Sequence, residues 1–78
     1  MASKLDSFFD NFMRKNSDPT SIRLCKKLKA NLNILSATYL DDLAGVLIFL
    51  GASDDEMDDI LEEESEKISN IISSYCFT

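Results

Sequence analysis

A run of acidic side chains is the part of this sequence with the clearest capacity for chemistry. Nine of the fourteen Asp and Glu residues fall in GASDDEMDDILEEESEKISN, residues 51–70, against a single lysine. Carboxylates in this number can ligate a hard cation, transfer protons or attract a basic partner. They can equally form the solvated face of an ordinary helix, which is the simpler expectation. The candidates for partner binding are Asp54, Asp55, Asp58, Asp59, Glu62 and Glu63.

The spacing of these acids argues against a metal site. A calcium loop of the EF-hand type needs oxygen ligands at alternating positions and a glycine at its sixth position. Counted from Asp54, the sixth position is Asp59, and Met57 and Ile60 interrupt the acids at helical spacing. Because carboxylates along one helix diverge into water, we predict no bound metal and no cofactor.

The rest of the chain offers little for catalysis. It has no histidine, which excludes Ser-His, Cys-His and His-ligated metal sites. Gly45 and Gly51 are the only glycines and form no phosphate-binding loop. Carboxylate pairs such as Asp58 and Glu62 could move protons, but on a convex helix we expect no pocket around them. We therefore predict that the protein is not an enzyme.

A second candidate site is basic. Four cations lie within the seven residues 23–29, which is dense enough to bind phosphates. The simpler alternative, that this face pairs with the acidic helix, is left open by the sequence and is the more expected of the two. The candidates for binding single-stranded nucleic acid are Arg14, Lys15, Arg23, Lys26, Lys27 and Lys29.

Duplex DNA is a poor target for the acidic helix itself. The segment LIFLGASDDEMDDIL has the outline of a helix-turn-helix, with an apolar helix, a glycine turn and a second helix. A recognition helix approaches phosphates through Lys and Arg, whereas this one would present Asp54, Asp55, Asp58 and Asp59. The charge excludes duplex reading by this helix.

Length, charge and cysteine content bound the class of protein. The 78 residues predict one domain, residues 1–78. Residues 1–29 carry seven basic and three acidic side chains, a net of +4. Residues 30–78 carry one basic and eleven acidic side chains, a net of −10, and the two sum to −6.

Cys25, on an apolar face, is expected to be buried, and Cys76 to be a free thiol. With no visible signal peptide and a longest apolar run of ten residues, we expect a cytoplasmic protein without a membrane span.

Four amphipathic segments must position these side chains. Apolar residues at spacings of three and four predict helices near residues 3–15, 19–35, 39–50 and 54–75. The predicted N-terminal caps are Ser3 and Asp18, with Pro19 in the first helical position after Asp18. Thr38 with Asp41 and Ser53 with Glu56 are predicted to form capping boxes. The third helix has almost no polar face, so we predict an all-α bundle of about four helices with this apolar helix at its centre. Gly45 is expected to mark close backbone packing, and Gly51 to end the third helix.

One segment carries a resemblance. TYLDDLAGVLIFLGASDDEMDDILEEE, residues 38–64, resembles the small companion proteins encoded beside the UvsW helicase of T-even phages, as does the chain length. The resemblance implies a small helical accessory protein in phage recombination, replication and repair, in the host cytoplasm. It implies contact with the helicase or its single-stranded DNA, and it transfers no functional residues.

Together these observations predict a non-enzymatic, acidic interaction protein. Its expected partner is a protein with a basic surface, and the resemblance implies that this partner is a helicase. The alternative is weak, salt-sensitive binding of single-stranded nucleic acid through the second helix.

Overall fold

The chain folds into four helices. The computed structural model describes residues 3–16 and 18–76, and the side chain of residue 76, with its predicted free thiol, lies outside the described part. Within these residues there is no strand, and the predicted all-α bundle is confirmed. The helices are α1 (Lys4–Lys15), α2 (Pro19–Asn31), α3 (Tyr39–Phe49) and α4 (Asp54–Cys76).

The first two helices begin where their sequence signals predict. The Ser3 hydroxyl accepts a hydrogen bond from the backbone N–H of Asp6 at 3.1 Å and so caps α1. The Asp18 carboxylate accepts from the N–H of Thr20 at 3.2 Å, with Pro19 in the first helical position of α2. Pro19 lacks the N–H that would be unpaired at this position, and its fixed φ suits a first turn.

Helix α2 ends earlier than the predicted residue 35. The side chain of Asn33 accepts from the N–H of Leu35 at 3.0 Å, and the N–H of Ser36 donates to the Asn33 carbonyl at 2.9 Å. This Asx turn offers the backbone a local alternative to the helix, which therefore ends at Asn31. Leu35, the last residue of the predicted helix, is instead in the connection and 67% exposed.

Of the two predicted ends of helix α3, the structure confirms the C-terminal signal but not the N-terminal cap. Thr38 makes no capping hydrogen bond, because its hydroxyl donates to the Asp42 carboxylate at 3.0 Å; the predicted capping box with Asp41 is wrong. The C-terminal prediction is confirmed at Gly51, whose φ of +84° permits a Schellman turn. In that turn the N–H of Ala52 donates to the Leu47 carbonyl at 2.9 Å.

Helix α4 begins with the predicted capping box. The N–H of Glu56 donates to the Ser53 hydroxyl, and the N–H of Ser53 donates back to the Glu56 carboxylate, each at 3.2 Å. Asp54, Asp55 and Glu56 thus occupy the first turn, where the helix dipole favours negative charge. The 23 residues of α4 extend over about 34 Å, longer than any other helix in the described chain.

The four helices enclose one small core. Helix α1 packs against both α2 and α4, and α4 packs against both α1 and α3. Every helix contributes to the buried apolar cluster, and α3 contributes most. The buried apolar residues are Leu5, Phe9, Cys25, Tyr39, Leu43, Leu47 and Ile60.

Helix α3 is buried on one face and exposed on the other. Tyr39, Leu43 and Leu47 point into the core, but Ile48 and Phe49 on the other side are 65% and 67% exposed. Gly45 is exposed too, and a Cβ placed there would meet nothing within 4 Å. The expectation that Gly45 marks close backbone packing is therefore wrong.

Candidate interaction surfaces

The predicted acidic residues gather on the solvent side of α4. Asp54, Asp58 and Glu62 follow one another at four-residue intervals, and Asp55 and Asp59 form a neighbouring row. All five are exposed, and none of them makes an ion pair with any described residue. We call these five residues the acidic face: Asp54, Asp55, Asp58, Asp59 and Glu62.

The sixth predicted acid, Glu63, is turned toward α1. Its carboxylate accepts a hydrogen bond from the backbone N–H of Lys4 at 3.0 Å, in the first turn of α1. That N–H has no partner inside its own helix, and the carboxylate also complements the positive end of the helix dipole. Lys67 Nζ lies 3.9 Å from the same carboxylate. Glu63 therefore joins α1 to α4 instead of extending the acidic face.

The predicted basic residues divide in the same way. Arg23, Lys26 and Lys27 lie at spacings of three and one on the exposed side of α2 and line a shallow groove with Ile22 and Pro19. None of the three cations makes an ion pair with a described residue. Two further cations are exposed at the end of α1. These two are Arg14 and Lys15; we keep the name basic face for Arg23, Lys26 and Lys27, which share one side of α2.

Lys29, the sixth predicted cation, belongs to the joint between α1 and α2. Its ammonium lies 3.4 Å from the carboxylate of Asp6 and 5.7 Å from the centre of the Phe9 ring. Burial alone would raise the pKa of Asp6, but hydrogen bonds from Lys29 and Ser3 outweigh it, and the pKa is lowered. Lys29 thus stabilises the fold from a half-exposed position.

The acidic and basic faces do not neutralise each other. Within the described residues, the ion pairs join Lys29 to Asp6 and Lys67 to Glu63 and Glu64, and none joins α2 to α4. The reason is the packing order, because α2 packs against α1 while the acidic face lies on α4. The simpler expectation, that the basic helix pairs with the acidic one, is therefore wrong.

One glutamate outside the predicted site residues is buried. The side chain of Glu64 is 4% exposed, and its Oε1 accepts a hydrogen bond from the hydroxyl of Tyr39 at 2.5 Å. Lys67 Nζ lies 2.9 Å from Oε2, in a direction that makes an ion pair and not a well-aligned hydrogen bond. Burying a carboxylate is costly unless it is paired in this way. Burial, followed by the hydrogen bond to Glu64, raises the pKa of Tyr39.

The sequence did contain a signal for Glu64. The apolar stripe of α4 consists of Met57, Ile60 and Leu61, and its next member, Ile68, follows only seven residues later. An inward position must fall in that interval, at residue 64, since inward residues recur every three or four positions. An acid at such a position indicates a buried carboxylate with a partner on the facing helix.

An apolar groove lies beside the C-terminal part of α4. One wall is the connection before α3 together with the first turn of α3, and the other is the last turns of α4. The cavity measures about 580 Å³. We call it the end groove; its lining is Ile34, Leu35, Ser36, Ala37, Tyr39, Leu40, Asp41, Ile68, Ile71, Ile72 and Tyr75.

The described residues show neither a metal cluster nor a membrane-spanning helix. No three His, Cys, Asp or Glu side chains converge there in a way that could hold a metal ion. Among residues 3–16 and 18–76, no helix is both long enough and apolar enough to cross a bilayer.

Comparison with family models, with curated proteins and with solved structures found no match for this chain.

Proposed function

We propose that this protein is a non-enzymatic interaction protein whose acidic face binds a protein partner with a basic surface. The observation that carries the proposal is the lack of any ion pair to the five exposed acids of α4 within the described residues. Like charges at four-residue spacing repel each other by about 0.2–0.5 kcal/mol per pair, so this arrangement costs the isolated fold stability. A basic partner would relieve that repulsion on binding.

A basic surface of this kind is typical of nucleic-acid enzymes. Complementary charge on the two surfaces would raise the rate of encounter and select the partner more than it would add affinity. The resemblance of residues 38–64 to the companions of the UvsW helicase suggests such a helicase as the partner, in phage recombination and repair. Residues 38–64 include the whole acidic face.

The second candidate function is binding of single-stranded nucleic acid by the basic face. The observation that favours it is that Arg23, Lys26 and Lys27 share one exposed side of α2 and make no ion pair with the described acids. The net charge of −6 repels nucleic acid at a distance. We therefore expect this binding to be weak and to fall steeply with salt.

Two charge-reversal variants separate the proposals, and each is the control for the other. Asp58→Lys/Glu62→Lys alters the acidic face, and Lys26→Glu/Lys27→Glu alters the basic face. Each would be titrated, with the wild-type protein, against a purified helicase of the UvsW kind and against a fluorescent oligothymidine.

The proposal expects helicase binding to be lost with Asp58→Lys/Glu62→Lys and retained with Lys26→Glu/Lys27→Glu. The second candidate expects oligothymidine binding that Lys26→Glu/Lys27→Glu weakens, with a log–log salt slope of about −2 for roughly three phosphate contacts. If Asp58→Lys/Glu62→Lys binds the helicase as tightly as the wild type does, the acidic face is rejected as the contact surface.

A further inference from the structure

The end groove is a separate surface from both charged faces. The segments that form its two walls are poor in charge: residues 32–40 and residues 68–76 contain no Asp, Glu, Lys or Arg, although the chain has 14 acids and 8 bases. Asp41 is the one charged residue among those that line the groove, and it is exposed. An occupant of the groove is therefore selected by apolar fit and not by charge.

We infer that the end groove is the surface through which two copies of this chain pair, each laying the last turns of its α4 into the groove of the other. The wall formed by α4 presents Ile72 at 56% exposure. The opposite wall presents Leu35 at 67% exposure. A two-fold axis sets Ile72 of each copy against the Leu35 wall of its partner, which is the isologous arrangement of most dimers.

The charge distribution along α4 selects both the region and the direction of this pairing. Residues 54–67 carry nine acids and one lysine, whereas residues 68–76 carry no charge. A parallel pairing would set the acids of one copy beside those of the other. An antiparallel crossing near Ile72 sends the two acid-rich halves in opposite directions.

The distances in an antiparallel pair are large enough to suppress the repulsion. Helical rise is about 1.5 Å per residue, so Glu66 lies about 9 Å along the axis from Ile72, and the two copies of Glu66 lie about 18 Å apart. Glu62 lies about 30 Å from its counterpart by the same rule. Both separations exceed the screening length of about 8 Å at physiological salt. Two chains of net charge −6 can therefore meet at this end.

The small core gives such pairing a physical benefit. Beyond Glu64, α4 buries no described side chain, and Ile68 and Ile71 are only partly covered. A domain of this size buries a modest share of its apolar surface by itself, so covering these isoleucines adds to the stability of the pair.

The first test measures mass against concentration by sedimentation equilibrium for wild-type protein, Ile72→Glu and Ile48→Glu. Ile48 is the matched control, an isoleucine at 65% exposure on the open side of α3 and outside the end groove. We expect a concentration-dependent dimer for the wild type and Ile48→Glu, and a monomer for Ile72→Glu. A wild-type monomer at all concentrations, or a dimer that Ile48→Glu breaks and Ile72→Glu does not, would overturn the inference.

The second test measures direction and does not depend on the behaviour of a destabilised variant. Spin labels at Asn70→Cys and, separately, at Asp58→Cys, each with Cys76→Ser, report the distance between copies. Antiparallel pairing predicts a short distance at residue 70 and about 40 Å or more at residue 58, which is about 14 residues from the crossing. Short distances at both positions mean a parallel pair, and no distance at either means no pair; both results reject the proposal.

Discussion

The hydroxyl of Tyr39 donates a hydrogen bond to the carboxylate of Glu64, 25 residues later, and so fixes the start of α3 against the middle of α4. Both residues are buried, Tyr39 at 4% and Glu64 at 3% exposure. Lys67, one turn further along α4, supplies the charge that balances Glu64. The polar contact thus sits inside an otherwise apolar interface, where a shift of register would leave the carboxylate unpaired.

We predict that Tyr39→Phe lowers the free energy of unfolding by about 2 kcal/mol. The substitution keeps the ring in the core but removes the donor to a charged acceptor, and such hydrogen bonds contribute roughly 1.5–3 kcal/mol. Chemical denaturation of the variant and the wild type measures the difference. A double-mutant cycle with Glu64→Gln should show a coupling energy of at least about 1 kcal/mol.

Glu66→Gln is the matched control for Glu64→Gln. Glu66 lies on the same helix, is exposed and makes no ion pair with a described residue. We expect its substitution to change the free energy of unfolding by less than about 0.5 kcal/mol. Equal effects of Glu64→Gln and Glu66→Gln would show that the buried contact contributes nothing particular to the fold.

We predict that alkaline pH destabilises the wild type more than Tyr39→Phe. Burial and then Glu64 raise the pKa of Tyr39 above its usual value of about 10, so the unfolded chain loses this proton first. The contribution to stability is complete below about pH 10 and is lost as pH rises toward the folded-state pKa. The pKa of Lys67 is also raised, by its contact with Glu64, which acts in the same direction in both proteins.

Melting temperatures measured from about pH 9 to about pH 11 test this prediction, since the usual tyrosine pKa lies in that interval. The wild-type curve should fall more steeply than that of Tyr39→Phe, which retains the contributions of Lys67 and of the Cys25 thiol, whose pKa is also raised by burial. Parallel curves would mean that Tyr39 titrates alike in the folded and unfolded chains.

The sequence predicted the individual helices more reliably than the contacts between them. Cap and turn signals depend on neighbours within a few residues. The structure confirms those at Ser3, at Asp18 with Pro19 and at Gly51, but not the capping box at Thr38. The predicted end of α2 was wrong because the Asx turn at Asn33 competes with a helical pattern that continues past it.

The candidate surfaces were predicted as lists of residues, and the structure divides those lists. Glu63 and Lys29 look like their neighbours in the sequence, yet each bridges two helices. Which acid or base is diverted in this way depends on which helices pack together, and spacing within one helix carries no such information. The burial of Glu64 shows the same limit, although the interval in the apolar stripe marked its position.

We predict opposite effects for alanine at the two glycines. Gly45 lies exposed inside α3, where an added Cβ would meet nothing within 4 Å, so Gly45→Ala should raise the free energy of unfolding by about 0.5–1 kcal/mol. Gly51 has a φ of +84°, where a Cβ is strained, so Gly51→Ala should lower it by about 1 kcal/mol or more. Denaturation midpoints measure both, and a destabilising Gly45→Ala would contradict the open surface of α3.

We predict that the acidic face destabilises the isolated fold through repulsion. Asp58→Asn/Glu62→Gln removes three i, i+4 repulsions, those of Asp54 with Asp58, Asp58 with Glu62, and Glu62 with Glu66, so the variant should gain roughly 0.2–0.5 kcal/mol per pair removed at low salt. Sodium chloride should raise the wild-type melting temperature gradually and shrink this gain, because it screens exposed charges. Asp41→Asn/Asp42→Asn is the control and should bring no such gain, since these acids lie in the first turn of α3, where the helix dipole favours negative charge, and Asp42 accepts a hydrogen bond from Thr38. A salt-independent melting temperature would show that the acids are already neutralised.

We predict, last, that the acidic face binds no calcium. Asp54, Asp58 and Glu62 follow one convex side of α4, and their carboxylates diverge into water. Such a row cannot supply the roughly 6–8 converging oxygens that calcium requires. Titration calorimetry at matched ionic strength should therefore show no stoichiometric binding, and millimolar calcium should raise the melting temperature only as far as its screening of exposed charge does. A calcium-specific rise that magnesium and sodium do not reproduce would contradict the prediction, because screening alone cannot distinguish calcium from magnesium.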